Sequence, residues 1–359
     1  MTIRYISING RFLGRQVSGV ERYGRELLRA WDAMLEKQPS RIPVRVLLPK
    51  GVEPNIALSA ITFETIGRLG GHAWEQSELC FAARHDVLIG LANSGPLLHS
   101  RQLVVSHDAA VFRFPENYSF RYRTWHRFLS RSLARQARLA TVSEFSRAEL
   151  VDTLGVLPDT VLVLPNGSDH LGKIAPDEAL IARLNLQDTP FLLAVGTAAR
   201  NKNLGLVLEA WRQLGNTQAR LVIAGAVNDR IFNQANALAA TDGVLFPGRV
   251  SDAELAALYG HATAFIFPSR YEGFGIPPLE AIAHGCPVLA SSIPPLREVL
   301  GQGAQYFDPN DATTLVPLMA QAITAPRALP QVARERLEHY RWANSAAALH
   351  RAALQMIGA

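Results

Sequence analysis

Short apolar runs alternate with amphipathic helical segments through most of this chain. Before residue 165, the runs that predict strands cover residues 3–8, 44–48, 87–91, 103–105, 139–142 and 161–164. Apolar positions three or four residues apart predict helices over residues 19–35, 118–138 and 146–154. Strands that alternate with helices are typical of a parallel sheet covered on both faces. The first half of the chain therefore predicts a doubly wound α/β domain.

The alternation pauses at a turn-rich stretch, residues 165–173, and then resumes. The second series of predicted strands covers residues 191–196, 220–225, 243–246, 263–267 and 287–291. The helices predicted to accompany them cover residues 204–214, 252–260, 277–284 and 311–325. We therefore predict an N-terminal Rossmann-like domain over residues 1–170 and a C-terminal one over residues 171–340. Ligands of open α/β sheets bind at the carboxyl ends of strands, so the residues after each strand are the candidates.

The composition fits a folded protein of two domains. With 359 residues, 48% hydrophobic and 19% charged, the chain is too long for one compact core and too apolar for disorder. Cys80 and Cys286 are too few for a disulfide framework and have no Cys/His cluster around them, which favours a reducing compartment without structural zinc. No signal-peptide pattern and no apolar run of roughly 18 residues is present, so we expect a cytoplasmic protein.

The formal net charge of +5 is concentrated in one segment. Residues 101–150 contain nine arginines, no lysine and four acidic residues, so they carry the whole excess. In the predicted helix over residues 118–138, arginines at every fourth position form a basic stripe. Each is offset from the one before it by only ~40° around the helix axis. These residues are Arg123, Arg127, Arg131 and Arg135. The stripe is either a solvated helix face or a surface that meets a membrane or an anionic ligand.

A basic loop follows the predicted strand 191–196. It carries Arg200 and Lys202 just before a predicted helix. Free amides and the positive end of the helix dipole act together with such cations, so the loop is a candidate anion-binding site. An ordinary solvent-exposed loop is the alternative interpretation.

A glycine-rich loop between a predicted strand and the next helix holds two glutamates. Glu272 lies in the loop, and Glu280 is expected in the first helical turn. Gly273 and Gly275 let a ligand approach the backbone closely, and free amides at the helix start favour an anionic oxygen. Carboxylates accept hydrogen bonds from hydroxyl groups, so the loop suits a molecule with polyols on either side of a diphosphate. A nucleotide sugar is such a molecule.

Two further candidates lie in the first half of the chain. His107 follows the predicted strand 103–105, and it serves either a structural or a functional purpose there. Gly19 opens the first predicted helix and offers its amide to a phosphate, or simply begins the helix. The chain has no G-x-x-x-x-G-K-[ST] loop, no complete G-x-G-x-x-G and no D-x-D pair, which argues against a P-loop ATPase, an NAD dehydrogenase and a D-x-D metal clamp.

The spacing of Glu272 and Glu280 in P-S-R-Y-E-G-F-G-I-P-P-L-E-A resembles the E-x7-E motif of the retaining family-4 glycosyltransferases, which have the GT-B fold. Further segments match that family in the same order, and the resemblance covers nearly the whole chain. These segments are residues 19–23, 107–108, 142–146, 165–167, 195–196 with 202–203, 248–252 and 285–288.

The resemblance implies two Rossmann-like, doubly wound domains that face a cleft. The nucleotide-sugar donor would bind mainly to the second domain and the acceptor to the first, and a last helix within residues 341–359 would cross back to the N-terminal domain. The resemblance also implies transfer with retention and without a metal or other cofactor. Catalysis would then rest chiefly on electrostatic stabilisation of the leaving diphosphate, with a donor phosphate oxygen as the base.

Residue roles follow from the resemblance by matched position. Lys202 is expected to contact the diphosphate, Glu280 the ribose hydroxyls and Glu272 the hydroxyls of the donor sugar. His107 is expected to face that sugar near its reacting carbon, and Gly19 to lie under the phosphates.

One departure from the family affects the phosphate site. Many members carry an arginine directly after the glycine that matches Gly196, where this chain has Thr197. We expect Arg200 to supply the missing charge. The remaining donor contacts that the resemblance implies are Val250, Gly273, Phe274 and Gly275.

Residues 107–108, 113–115 and 142–146 look most like those of bacterial mannosyl- and rhamnosyltransferases of surface polysaccharide assembly, and GDP-mannose is the favoured donor. Such enzymes use polyprenyl-diphosphate-linked or oligosaccharide acceptors. The arginine stripe would then approach the acceptor diphosphate, or anionic lipid at the inner face of the cytoplasmic membrane.

Other functions stay open at this point. A rhamnosyl or UDP-sugar transferase, a nucleotide-sugar epimerase of the same fold and a non-catalytic basic adaptor at a membrane surface are the alternatives. A phosphorylase would need a lysine for pyridoxal phosphate and a longer chain. The chain lacks clear base-stacking motifs, so no nucleic-acid partner is expected.

Overall fold

The computed structural model describes residues 4–170, 174–197, 199–215, 217–225, 243–325 and 328–358. The chain divides into two compact units, residues 1–167 with 341–359, and residues 168–340. The division falls three residues before the predicted boundary between 170 and 171.

Two neighbouring residues explain where the division falls. A Cβ on Gly167 would come within 2.4 Å of the backbone nitrogen of Trp342, so this glycine is packed into the first unit. The amide of Ser168 donates to the carbonyl of Tyr340 at 3.0 Å, which ties the next residue to the second unit.

The first unit is built on a seven-stranded sheet whose paired strands are all parallel. Its strands are β1 (Ile6–Asn9), β2 (Val44–Pro49), β3 (Thr62–Ile66), β4 (Val87–Gly90), β5 (Gln102–Val105), β6 (Arg138–Thr141) and β7 (Val161–Val163). Their order across the sheet is β3-β2-β1-β4-β5-β6-β7, so the winding reverses between β1 and β4. Ile8 pairs with Val46 on one side and Ile89 on the other, and all three are fully buried.

Strand β3 is absent from the sequence prediction. It lies at the sheet edge, and its side chains are exposed or half-buried, so it needs no apolar run. Six helices precede residue 167: α1 (Gly19–Lys37), α2 (Gly71–Trp74), α3 (Cys80–Ala82), α4 (Ala110–Arg113), α5 (Phe120–Gln136) and α6 (Glu144–Leu154). A π-helical segment, Glu75–Leu79, joins α2 to α3.

The second unit repeats the pattern with a six-stranded parallel sheet. Its strands are β8 (Phe191–Val195), β9 (Arg220–Ala224), β10 (Val244–Gly248), β11 (Ala264–Phe267), β12 (Val288–Ser291) and β13 (Gln305–Phe307). The order is β10-β9-β8-β11-β12-β13, which puts the reversal of winding between β8 and β11. Open α/β sheets bind their ligands at this point.

Seven described helices flank that sheet. They are α7 (Ala179–Arg183), α8 (Leu204–Leu214), α9 (Asp252–His261), α10 (Ile276–Ala283), α11 (Pro294–Leu300), α12 (Val316–Thr324) and α13 (Gln331–His339). Helix α8 buries Trp211 in an apolar cluster with Leu221 and Ile266. The predicted helix over residues 311–325 is a 3-10 turn, Ala312–Thr314, followed by the shorter α12.

The last helix, α14 (Trp342–Ile357), belongs to the first unit. It packs against α1, where Trp31 Nε1 donates to His350 Nδ1 at 3.2 Å. The hydroxyl of Ser345 donates to the carbonyl of Pro165 at 2.6 Å. The predicted fold class, two doubly wound α/β domains, is confirmed.

Candidate functional site

The loops after β8 and β11 are bound to each other at the reversal of winding in the second sheet. Asn203 adopts the left-handed conformation (φ 54°), and its side-chain amide donates to the carbonyl of Pro268 at 3.1 Å and to that of Pro309 at 2.8 Å. The amide of Arg270 donates to the carbonyl of Asn201 at 2.8 Å. The two loops predicted separately to bind a ligand are therefore one structural feature.

An ion pair joins the two predicted catalytic residues of these loops. Lys202 Nζ lies 2.6 Å from Glu272 Oε1, and the two side chains are 27% and 15% exposed. Lys202 Nζ also lies 5.7 Å from the centre of the Phe267 ring at the end of β11. A cation and a carboxylate are thus held side by side within reach of solvent, where one can bind an anion and the other a hydroxyl group.

The glycine-rich loop after Glu272 leads directly into α10. Gly275 has φ +93°, and a Cβ there would lie 2.6 Å from Leu296 Cδ2, so both the conformation and the space require glycine. Gly273 is half-buried. Phe274 packs edge-on against Tyr340 with ring centres 5.1 Å apart and is buried.

Glu280 is the fifth residue of α10, just past the first turn in which it was predicted, because the helix begins at Ile276. Its side chain is buried. Tyr259 donates its hydroxyl to Glu280 Oε2 at 3.4 Å, and His170 Nε2 lies 3.8 Å from Oε1. Sequence reasoning missed His170, since it lies in the stretch interpreted as a linker.

The remaining predicted donor residues of the second unit, Arg200 and Val250, follow β8 and β10. Arg200 begins a 3-10 turn that ends at Lys202, and its side chain is exposed. Thr197 is also exposed, just after β8. Val250 is half-buried directly before Ser251, the residue that caps α9. The donor-binding roles assigned to Arg200 and Val250 stay predictions.

His107 is fixed in the first unit just after β5. Its amide donates to Asn93 Oδ1 at 2.7 Å, its Nε2 lies 2.9 Å from the carbonyl of Leu91, and the Tyr23 ring meets it edge-on at 4.6 Å. Burial lowers the pKa of His107 to about 4. The imidazole is therefore neutral at pH 7, and its contact with a carbonyl favours a proton on Nε2.

Gly19 begins α1, and a Cβ there would meet nothing within 4 Å. The helix start carries its own capping box, in which Ser18 and Glu21 satisfy backbone groups of the first turn. A role for Gly19 under phosphates stays a prediction.

The arginine stripe lies on α5, but its members differ in what they contact. Arg127 donates to the carbonyls of Val111 at 3.0 Å and Phe112 at 3.3 Å, which ties α5 to α4. Arg131 is exposed and lies over the Phe112 ring, and Arg123 lies over the Phe120 ring. Arg135 is exposed in the last turn of the helix. One arginine of the stripe, Arg127, therefore joins two helices of the fold.

Two features are absent from the described residues. None of the helices in that part of the chain is both long and apolar enough to cross a membrane. Within the same ranges, no three histidine, cysteine or acidic side chains are grouped so that they could hold a metal ion.

The chain is similar to several known proteins. Residues 177–340 match the family described as Glycosyl transferases group 1. The chain is 31% identical over 234 residues to O-antigen chain mannosyltransferase B of Escherichia coli, covering 62% of this chain and 61% of that protein. It is 32% identical over 222 residues to O-antigen chain mannosyltransferase RfbU of Salmonella typhimurium, covering 60% and 59%. The matches thus span about three fifths of the length of these relatives.

Two solved structures share this fold at low sequence identity. Sucrose-phosphate synthase from Thermosynechococcus elongatus aligns with a TM-score of 0.75 at 20% identity, covering 99% of both chains. WaaG, a glycosyltransferase involved in lipopolysaccharide biosynthesis, aligns with a TM-score of 0.66 at 17% identity, covering 96% of this chain and 94% of WaaG. At such identities the likeness defines the fold alone.

Proposed function

We propose that this chain, whose residues 177–340 match the family described as Glycosyl transferases group 1, moves a hexose from a nucleotide sugar to a hydroxyl group of a lipid-linked or oligosaccharide acceptor. The Lys202–Glu272 ion pair carries the proposal. A cation that can bind a diphosphate lies beside a carboxylate that can accept hydrogen bonds from sugar hydroxyls, where the winding of the second sheet reverses. The O-antigen mannosyltransferases among its relatives support surface polysaccharide synthesis as the setting.

The diphosphate and the sugar of the donor would each bind a different member of the ion pair. The diphosphate takes Lys202 and, beside it, the exposed Arg200, while the sugar hydroxyls donate to Glu272. Glu280 accepts from the ribose hydroxyls, and the hydroxyl of Tyr259 holds that carboxylate in place. Each group then meets the part of a nucleotide sugar that matches its charge.

The reaction would proceed with retention and without a metal. The bond between the anomeric carbon and the diphosphate oxygen breaks, and the acceptor oxygen forms a bond to that carbon on the same face. The acceptor proton passes to a phosphate oxygen of the leaving group. Lys202 and backbone N–H groups of the glycine-rich loop before α10 stabilise the charge that develops on the diphosphate. Glu272 orients the sugar and forms no covalent bond.

GDP-mannose is the proposed donor, since the relatives named above are mannosyltransferases. A thermal-shift panel of GDP, GDP-mannose, UDP, UDP-glucose and dTDP-rhamnose tests this proposal, because a ligand that binds only the folded state stabilises it, and more so the tighter it binds. Stabilisation by GDP and GDP-mannose is expected. Stabilisation by another nucleotide family identifies a different donor, and stabilisation by none contradicts the proposal and favours the adaptor.

Incubation of the protein with GDP-mannose, with and without acceptor glycan, separates the enzymatic alternatives. A transferase consumes the donor quickly when acceptor is present, whereas an epimerase converts it at the same rate without acceptor. EDTA should leave the transfer rate unchanged, and the anomeric configuration of the product, read by NMR, should match that of the donor.

Peripheral membrane contact through α5 is part of the proposal. Phe120 and Phe128 are 70% and 53% exposed on this helix, beside the exposed Arg131 and Arg135. Exposed aromatic rings with basic neighbours suit the headgroup region of an anionic bilayer, where each basic residue contributes about 1 kcal/mol. The arginines would hold the protein where a lipid-linked acceptor is found.

A further inference from the structure

The side chain of Asn203 points away from the helix that it precedes. An asparagine directly before a helix normally accepts a hydrogen bond from an amide of the first turn. Within residues 199–215, which the structure describes, the Asn203 side chain makes no such bond to α8. Its amide group donates instead to the carbonyl of Pro268 at 3.1 Å and to that of Pro309 at 2.8 Å. The side chain therefore joins loops and does not cap the helix.

The backbone of Asn203 does not by itself explain an asparagine at this position. Its φ of 54° lies in the left-handed region, which glycine adopts without steric cost and which other residues adopt less easily. A glycine would therefore serve if only the direction of the chain mattered. The amide nitrogen has two hydrogens, and it has two carbonyl acceptors. The position thus combines a tight turn with a side chain that bridges two loops.

The carbonyls that Asn203 contacts lie at the ends of two other strands. Pro268 directly follows β11, and Pro309 is the second residue after β13. A further hydrogen bond, from the amide of Arg270 to the carbonyl of Asn201 at 2.8 Å, also joins the loops after β8 and β11. Asn203 therefore holds the loop after β8 against the loops after β11 and β13.

Both members of the ion pair lie close to these bonds along the chain. Lys202 directly precedes Asn203, and Glu272 is the fourth residue after Pro268. A lysine side chain is long and flexible, so a fixed backbone limits the positions that its ammonium group can reach. The contact of Lys202 Nζ with Glu272 Oε1 at 2.6 Å requires the two loops to stay at one separation.

A second left-handed asparagine holds a predicted catalytic residue in the first unit. Asn93 (φ 59°) follows β4, and its Oδ1 accepts from the amide of His107 at 2.7 Å. Its own amide donates to the carbonyl of Val105 at 3.1 Å. In the described ranges, the non-glycine residues with positive φ are all asparagines, and the other two are Asn55 and Asn185. Less favourable backbone conformations are concentrated at functional sites, which fits Asn93 and Asn203.

We infer that Asn203 is the positioning residue of the Lys202–Glu272 ion pair, an inference that rests on the proposed glycosyltransferase function. Its amide keeps the ammonium group and the carboxylate at the separation at which one nucleotide sugar can bind both. Asn203 acts through Lys202 and makes no bond to the donor itself. Loss of its amide should therefore weaken diphosphate binding only while Lys202 is present.

Reductive methylation of lysines tests this role without a ligand. Mass spectrometry gives the labelling rate of Lys202 relative to Lys37 and Lys50, which are exposed in the first unit. An ammonium group that is held by a carboxylate is shielded from the reagent. Asn203→Gly keeps the left-handed backbone and removes the amide. Lys202 should then be labelled about threefold faster, the effect of releasing a partly exposed ion pair.

Two further variants calibrate that rate. Glu272→Gln removes the carboxylate itself and should give the same increase. Asn185→Gly replaces an exposed left-handed asparagine just after α7 and should give no increase. An unchanged labelling rate of Lys202 in Asn203→Gly overturns the inference. A lower melting temperature of that variant would then assign Asn203 to the stability of the fold alone.

Calorimetry with GDP tests the link to donor binding. Asn203→Gly should weaken GDP binding about fivefold, because Lys202 is no longer held where the diphosphate binds. In Lys202→Met, the additional change Asn203→Gly should alter GDP affinity by less than about twofold, since the residue through which Asn203 acts is gone. Losses that multiply in the double variant contradict the positioning role. Absence of GDP binding by the unchanged protein contradicts the proposed function with its GDP-mannose donor, whereas the labelling rates still decide the role of Asn203.

Discussion

Lys202 and Glu272, 70 positions apart in the chain, form a 2.6 Å ion pair between the loops that follow β8 and β11. Before a donor binds, each of these side chains is the counter-ion of the other. A diphosphate must compete with Glu272 for the ammonium group, and the donor sugar must compete with Lys202 for the carboxylate. Donor binding and rearrangement of this pair are therefore coupled, which two substitutions can test separately.

The first prediction concerns Glu272→Gln. The amide keeps the shape of the side chain and releases Lys202 for the diphosphate, so affinity for GDP should be kept or slightly increased. Orientation of the donor sugar loses a charge-assisted hydrogen bond, worth about 1.5–3 kcal/mol, so kcat should fall by at least tenfold. Calorimetry with GDP and steady-state kinetics measure the two effects. Glu209→Gln on α8 is the control, and unchanged turnover in Glu272→Gln would remove this residue from the mechanism.

The second prediction concerns the cation that binds the diphosphate. Lys202→Met should weaken GDP binding about tenfold or more, because it removes a charge-assisted contact. The free energy of unfolding should change by less than about 1 kcal/mol, since a partly exposed ion pair contributes little to stability. Arg212→Met, which changes a cation on α8, is the control.

Arg200→Met decides whether that arginine compensates for Thr197. If it does, GDP binding weakens as in Lys202→Met. The double variant Arg200→Met, Lys202→Met then loses more affinity for GDP than either single variant. Unchanged GDP affinity in Arg200→Met would assign the diphosphate to Lys202 and backbone amides alone.

The sequence predicts the loops of this site better than the contacts within them. Strand-end reasoning identified Lys202 and Glu272, because apolar strands and the glycines after them leave a clear pattern. It gave no indication that the two side chains pair, since a contact across 70 positions depends on which strands are neighbours in the sheet. His170 was missed for a similar reason, because only the folded chain brings it close to Glu280, which is far away in the sequence.

Elements without an apolar pattern were also missed. Strand β3 lies at an edge and needs little burial. The helical stretch around Glu75, where the sequence predicted no element, buries a carboxylate. The polar network that makes this burial possible, through Asn9 and Ser94, joins three separate parts of the chain. Such arrangements follow from the assembled sheet and not from local periodicity.

The third prediction concerns pH. The folded-state pKa of His107, about 4, lies below its ordinary value of 6.5 because the imidazole is buried. The unfolded chain therefore binds a proton below about pH 6.5 that the folded chain does not bind, so stability is full above that pH and falls as pH decreases toward 4. Between pH 7.5 and pH 5 the loss from this group should be about 2 kcal/mol.

Chemical denaturation of the unchanged protein and of His107→Gln at the two pH values measures this loss. The glutamine variant should lose less stability between pH 7.5 and pH 5, because it has no proton to bind at that position. His261→Gln, which alters a 43% exposed imidazole in the second unit, should behave as the unchanged protein does. An equal pH response in His107→Gln and the unchanged protein would show that His107 is not held neutral by the fold.

The fourth prediction concerns the basic side of α5. The triple variant Arg123→Glu, Arg131→Glu, Arg135→Glu keeps Arg127, whose contacts with the carbonyls of α4 support the fold. Each basic residue near an anionic surface contributes about 1 kcal/mol to binding. The variant should therefore bind vesicles that contain roughly 30% anionic lipid at least tenfold more weakly than the unchanged protein does. Vesicle flotation measures the bound fraction. A matched triple variant of exposed arginines elsewhere, Arg68→Glu, Arg212→Glu, Arg297→Glu, changes the net charge equally and should float with the unchanged protein. Equal flotation of all three proteins would mean that the arginines of α5 serve the fold and the solvent, and not the membrane.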